Sequence, residues 1–188
     1  WALILIGAAI GSGVGVVGAR TVKMTAMPQM VALFNGVGGG AAALVALAEF
    51  HNADGILSGD AAVSTVLSAL IGSISFAGSI IAFAKLQELI GGRPITFPAQ
   101  NLFNIAVVAA AVVAGAAIVI GSEAQWVFWA LILLALAFGV LFVLPIGGAD
   151  MPVVISLLNA FTGLAASATG FVLSSTVLIV AGMLVGAS

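Results

Sequence analysis

The feature that most constrains this sequence is where charge is missing. No Asp, Glu, Lys or Arg occurs in Met24 to Ala48, Ala61 to Ala84, Pro94 to Ser122, Ala124 to Ala149 or Met151 to Ser188. A helix needs about 20 mostly apolar residues to cross the roughly 30 Å of hydrocarbon in a bilayer. Each interval meets that length, so the chain reads as a multi-span membrane protein. Division at the Pro, Gly and charge clusters gives the segments Trp1 to Gly18, Pro28 to Phe50, Asp60 to Ile90, Pro98 to Gly121, Gln125 to Leu144, Met151 to Leu173 and Thr176 to Ser188. Each is longer than the roughly 10 residues of a tilted barrel strand, and none alternates apolar with polar. The predicted fold is all-α, a polytopic transmembrane helical bundle with about seven helices visible.

Composition removes several function classes. The chain is 63% hydrophobic, with 4 basic residues, 6 acidic residues, one histidine and no cysteine. A disulfide framework, a Cys-ligated metal and a Cys–His nucleophile pair are excluded within it, and no metal cluster is available. A net charge of -2, with no basic run beyond the loose pair Arg20 and Lys23, offers nothing to nucleic acid. The first segment is not a signal peptide, because it lacks a basic start and further spans follow. Both ends look cut. Trp1 opens directly into apolar sequence, and Thr176 to Ser188 supplies only about 20 Å of helix. The expected single domain, residues 1–188, is therefore read as a fragment of a longer membrane protein.

Charge also orients the chain. Successive loops alternate sides, and cytoplasmic loops collect Lys and Arg. Arg20, Lys23, Lys85 and Arg93 all fall on one side, whereas Glu49, Asp54, Asp60 and Glu123 flank the opposite loops. The basic side is predicted cytoplasmic, and with it the loop Pro145 to Pro152.

An internal repeat is the next signal. A shift of 124 positions aligns Met27-Pro28 with Met151-Pro152, Asn35 with Asn159, Gly39 with Gly163, and Ala41-Ala42 with Ala165-Ala166. Proline is tolerated at a helix start because first-turn amides lack an intrahelical acceptor. In both copies an asparagine follows seven residues later, about 10 Å into the helix. An amide at that depth is costly unless it faces protein or water. Ser79, in the antiparallel third segment, lies roughly 16 Å from the cytoplasmic end, so Asn35, Ser79 and Asn159 have comparable depth. They sit on seams of small or polar residues: Asn35, Gly39, Ala42, Ala46; Ser68, Gly72, Ser75, Ser79; and Ser156, Asn159, Gly163, Ala166, Gly170. Such seams let helices approach closely and can line a hydrated path; the plainer reading is hydrogen bonding between packed helices.

Three stretches carry a family resemblance. Met24-Thr25-Ala26-Met27-Pro28-Gln29-Met30-Val31-Ala32, Ile71 to Lys85 ending in Gly78-Ser79-Ile80-Ile81-Ala82-Phe83-Ala84-Lys85, and Ile146-Gly147-Gly148-Ala149-Asp150-Met151-Pro152-Val153-Val154 resemble the beta subunit of proton-translocating NAD(P) transhydrogenase. The resemblance implies a membrane domain of the bacterial cytoplasmic membrane. In the intact subunit a further span would precede it, and more spans and an NADP(H)-binding domain would follow. It also implies alpha-subunit membrane helices as partners and a dimer of the whole complex. Hydride would pass between NAD(H) and NADP(H) outside this fragment, which holds no cofactor, while protons cross the membrane part. By position, Ser79 and Asn159 match residues lining the proton path, and Asp150 matches an acid coupling that path to the nucleotide domain. Asn35 departs from the pattern. Well-known members carry a titratable histidine there, and an amide cannot take that role. The carrier is then a histidine on a partner or missing helix, or a water chain between Asn35, Ser79 and Asn159.

The remaining polar residues have plainer readings beside functional ones. His51, about 24 Å along the helix from Asn35, and Glu49 are candidates for proton entry, though both also suit a solvated outer loop. Asp60 and Asp150 are expected as N-caps. Lys85 and Glu88 are expected as a surface pair, with Lys85 reaching for the interface. Gly13-Val14-Gly15-Val16-Val17-Gly18 matches G-x-G-x-x-G but ends an apolar span, with no strand before it; Gly7, Gly11 and Gly15 have the spacing of close helix packing. Two other functions fit repeated helices with polar midplanes: a secondary transporter for a small solute, weakened by the lack of intramembrane ionisable residues and of clearly broken helices although Gly36 to Gly40 could unwind, and a passive membrane scaffold.

Overall fold

A computed structural model describes residues 1–188 as helices and short connections, with no strand. The helices are α1 (Ala2–Thr21), α2 (Met27–Asn52), α3 (Gly59–Leu86), α4 (Gln100–Val119), α5 (Gln125–Val143), α6 (Met151–Val172) and α7 (Thr176–Gly186). Six are long and apolar enough to cross a membrane, and α7 is shorter. Their bounds follow the segments read from the sequence. The largest difference is in the third, which stops at Leu86 rather than Ile90; Glu88 there takes a positive φ of 57° and turns the chain into Gly91-Gly92. The repeat extends further than its matching letters. A 3-10 turn, Met24–Ala26, leads into α2, and another, Gly148–Asp150, leads into α6, at the same 124-residue offset. In both helices proline occupies the first turn.

Helix α3 is the hub, packed against α2, α4, α5 and α6, while α7 packs on α6. No residue of α1 is buried; it meets the bundle near its C-terminal end, where Gly18 approaches Met30 and Phe34 of α2. Burial of apolar surface does not drive helix association in lipid, so close packing and hydrogen bonds must do so. The contact between Gly39 of α2 and Gly72 of α3 shows how. A Cβ on Gly39 would lie 2.9 Å from the Gly72 carbonyl oxygen, and one on Gly72 only 2.6 Å from that of Gly39. The backbones touch because neither residue has a side chain.

Two apolar clusters flank this contact. One, near the acidic end, gathers around Phe50 and Phe128, whose rings stack with centroids 4.5 Å apart. The other, near the basic end, includes Ala82, Val143, Met151 and Leu158. Ser58, not Asp60, takes the N-cap position of α3, and Asp60 falls in its first turn, where a carboxylate complements the helix dipole. Asp150 occupies the N-cap position of α6, although its side chain makes no capping bond. Gly36 to Gly40 lies inside a continuous helix rather than an unwound one.

Candidate site in the three-helix polar layer

Helices α2, α3 and α6 bring side-chain amide and hydroxyl groups together inside the bundle. Asn35 Nδ2 donates to Ser79 Oγ at 2.9 Å and to Ser75 Oγ at 3.2 Å. Ser75 Oγ is 2.8 Å from the Leu158 carbonyl oxygen and 2.5 Å from Thr162 Oγ1, which itself is 3.1 Å from the same carbonyl. Ser75 and Ser79 are fully buried and Asn35 nearly so. The spacing explains the convergence. Ser75 and Ser79 are four apart, as are Leu158 and Thr162, and residues four apart share one helix face.

The proton count in this cluster is informative. Ser75 and Thr162 hold one hydroxyl proton each, yet three contacts among Ser75, Thr162 and the Leu158 oxygen call for a donor. Two arrangements satisfy the carbonyl. In one, Ser75 donates to Leu158 and accepts from Thr162; in the other, Ser75 donates to Thr162, which donates to Leu158. Rotating two hydroxyls exchanges them. Asn35 Oδ1 is buried with no hydrogen-bond partner in the chain, so the layer keeps an open acceptor.

A second layer lies about 10 Å toward the acidic end, one seven-residue step along α3. There Ser68 Oγ donates to the Ala42 carbonyl at 3.2 Å and pairs with Thr169 Oγ1 at 2.6 Å, while Thr65 Oγ1 is buried without a partner. The Gly39–Gly72 backbone contact falls between the two layers. Toward the basic end, the starts of α2 and α6 frame a cavity of about 420 Å³ lined by Met27, Pro28, Val31, Pro152, Ile155, Ser156 and Asn159.

The residues singled out from the sequence thus occupy different places. Asn35 and Ser79 are directly bonded. Asn159 is half-buried, lines the cavity and bonds to neither. Depth along a helix does not set direction around it: Asn159 is one residue, about 100°, from Leu158, which faces α3. Asp150 is exposed at the basic end, His51 is exposed at the opposite end, and Glu49 there is half-buried. Thr162 and Thr169 were not singled out. The repeat aligns them with Gly38 and Val45, so a search for matched polar residues passes over both. Their spacing of seven, on the face of Leu158, was the available signal.

Lys85 also differs from expectation. It is 2% exposed and does not pair with Glu88; its ammonium donates to main-chain carbonyls at the end of α5, Leu144 at 2.5 Å and Ile146 at 2.6 Å.

Comparison with known proteins agrees with this architecture. The family model described as NAD(P) transhydrogenase beta subunit matches residues 1–188. Two curated sequences, both NAD(P) transhydrogenase subunit beta from Rhodospirillum rubrum, are each 44% identical over 195 aligned residues. Those alignments cover 100% of this chain and 42% of each relative, so the chain spans less than half their length. With its apolar spanning helices and a match along all 188 residues, this multi-pass membrane chain belongs to the NAD(P) transhydrogenase beta subunit family.

Proposed function

We propose that the chain is the proton-conducting part of a transhydrogenase embedded in the bacterial cytoplasmic membrane, moving protons in step with hydride transfer between NAD(H) and NADP(H). The observation that carries this reading is the hydrogen-bonded layer of Asn35, Ser75, Ser79 and Thr162, in which the Ser75 and Thr162 hydroxyls can reorient between two bonding arrangements. Polar groups at membrane depth are costly and are kept to a bundle interior or a water-filled cavity, where a connected set of them can line a proton path. On this reading the basic-end cavity with Asn159 is the inner vestibule, the Ser68–Thr169 layer is the outer station, and Glu49 and His51 feed it.

No group in the central layer titrates, so that layer relays a proton that another group binds. The proton donor is a histidine on a neighbouring alpha-subunit helix or an ordered water, and because Asn35 Oδ1 is fully buried it meets that donor only when the helices part. The Gly39–Gly72 contact closes α2 against α3 between the layers. A conformational change must open it, and coupling survives only if the path never opens to both faces together. Asp150, exposed and uncapped, passes the state of the path to an NADP(H)-binding domain as a difference in docking energy. On this reading the intact subunit carries further spans and that domain beyond the residues described, and two copies of the whole complex assemble as a dimer.

The one dinucleotide-like pattern in this chain does not fit a nucleotide. Gly13 to Gly18 lies within helix α1, where backbone amides are already bonded within the helix. Hydride chemistry is therefore assigned outside it.

The test uses the intact enzyme reconstituted in vesicles, with internal pH and hydride transfer followed together. Ser79→Ala and Asn159→Leu should assemble and lose proton pumping. Loss of assembly alone would support a scaffold, and pumping at the parental level would reject the reading.

A further inference from the structure

Lys85 is the one charged side chain buried inside the bundle. Its Nζ reaches the Leu144 and Ile146 carbonyls at 2.5 and 2.6 Å and the Val143 carbonyl at 3.5 Å. Carbonyls at a helix C-terminus lack intrahelical donors and carry the negative end of the helix dipole, so an ammonium suits them. Ending a helix does not require this, however. A glycine turn or water does so without taking a charge out of water, which is costly even after relaxation.

The position of the ammonium gives the charge a further use. Ser79, bonded to Asn35, lies six residues before Lys85, about 9 Å along the same helix. Ile146, bonded to Lys85, lies four residues before Asp150 in the loop that leads into α6. The chain just after α3 is tied to the same loop, with Gly148 N–H donating to Gly92 O at 2.8 Å and Ile95 N–H to Leu144 O at 3.1 Å. A cavity of about 470 Å³ lined by Lys85, Leu86, Glu88, Gly91, Gly92 and Gly148 borders this loop, which leaves it space in which to change position.

We propose that Lys85 is a positioning residue that links the proton path to the coupling loop: movement of α3 set by the hydrogen bonding of Ser75 and Ser79 is carried through its ammonium to residues 144–150, and so to Asp150. Packed helices slide by small shears, and a rigid charge-assisted bond transmits such a shift where a lipid-like contact would slip. The inference rests on the proton-path reading above and adds to it the element that makes the path felt at the basic face.

The test compares Lys85→Met, Lys85→Gln, Lys85→Arg and Ser79→Ala in the full enzyme, with both subunits and the complete beta chain, reconstituted in vesicles. The readouts are assembly, hydride transfer and protons moved per hydride. With Lys85→Met the complex should assemble and still transfer hydride, while protons per hydride fall about fivefold or more. Lys85→Arg, which keeps the charge and can donate to the same carbonyls, should restore at least half of the ratio. A parental ratio in Lys85→Met alongside a low one in Ser79→Ala overturns the link and leaves the proton path standing. A parental ratio in both rejects the path itself. Equal losses in Lys85→Met and Lys85→Arg also overturn the proposal, because the charge would then be irrelevant. So does failure of both neutral variants to assemble, which would make Lys85 a folding cap.

Discussion

Replacing Gly72 with alanine tests the central layer without touching any of its polar atoms. The added Cβ would lie 2.6 Å from the Gly39 carbonyl oxygen and 3.0 Å from the Ala43 nitrogen, where ordinary contact begins at 3.4 Å. Both obstacles are backbone, so no rotamer relieves them, and α2 must move from α3 by about 0.8 Å to restore contact. Ser75 lies less than one turn from Gly72, and Ser79 about two turns. A displacement of that size would stretch the Asn35–Ser75 bond of 3.2 Å and the Asn35–Ser79 bond of 2.9 Å beyond hydrogen-bond range. Overpacking of this kind costs about 1–3 kcal/mol, which an assembled complex tolerates with a lowered melting temperature. Gly72→Ala is therefore expected to assemble, to melt a few degrees lower and to lose most of its proton pumping. Gly59→Ala, at a glycine with nothing within 4 Å of its Cβ position, is the control and should match the parent. Parental pumping by Gly72→Ala would refute the argument that the close approach of α2 and α3 holds the relay together.

Two further outcomes follow from the same geometry. Asp150→Asn changes an exposed carboxylate with no capping bond, so thermal stability should shift by less than about 0.5 kcal/mol while protons moved per hydride fall; calorimetry and the vesicle assay read the two separately. Phe50→Ala removes a fully buried ring stacked on Phe128 and should destabilise by about 2 kcal/mol, the cavity share of such a change at roughly 24 cal/mol per Å³, seen as loss of assembled complex in detergent.

Most of the architecture was legible because lipid imposes a simple rule. Charges and prolines had to fall where helices end, and α5 and α7 begin where the sequence reading placed them, at Gln125 and Thr176. The Met-Pro pairs located the two repeated helices because proline has few tolerated places in a helix. What stayed hidden depended on direction around an axis. Asn35 and Asn159 share a depth and a sequence context, yet one is bonded to Ser79 and the other faces a cavity. Gly163, in the same seam as Asn159, packs against α7, with its Cβ position 2.8 Å from the Gly182 oxygen. The seam on α6 is thus split between two neighbours. Lys85 was misread because a lysine near a helix end has the same pattern whether it snorkels to the interface or turns inward to cap another helix.

The hydroxyl pair of Ser75 and Thr162 offers the most direct test of a relay. Proton pumping by the reconstituted intact enzyme should be measured for Ser75→Ala, Thr162→Val and the double variant, with hydride transfer as the internal standard. If the two hydroxyls act as one hydrogen-bonded unit, each single change should cut pumping about tenfold or more and the double change should do little further harm, since residues acting together are not additive. Pumping near the parental level in both single variants, or losses that multiply in the double, would contradict a shared relay through this layer.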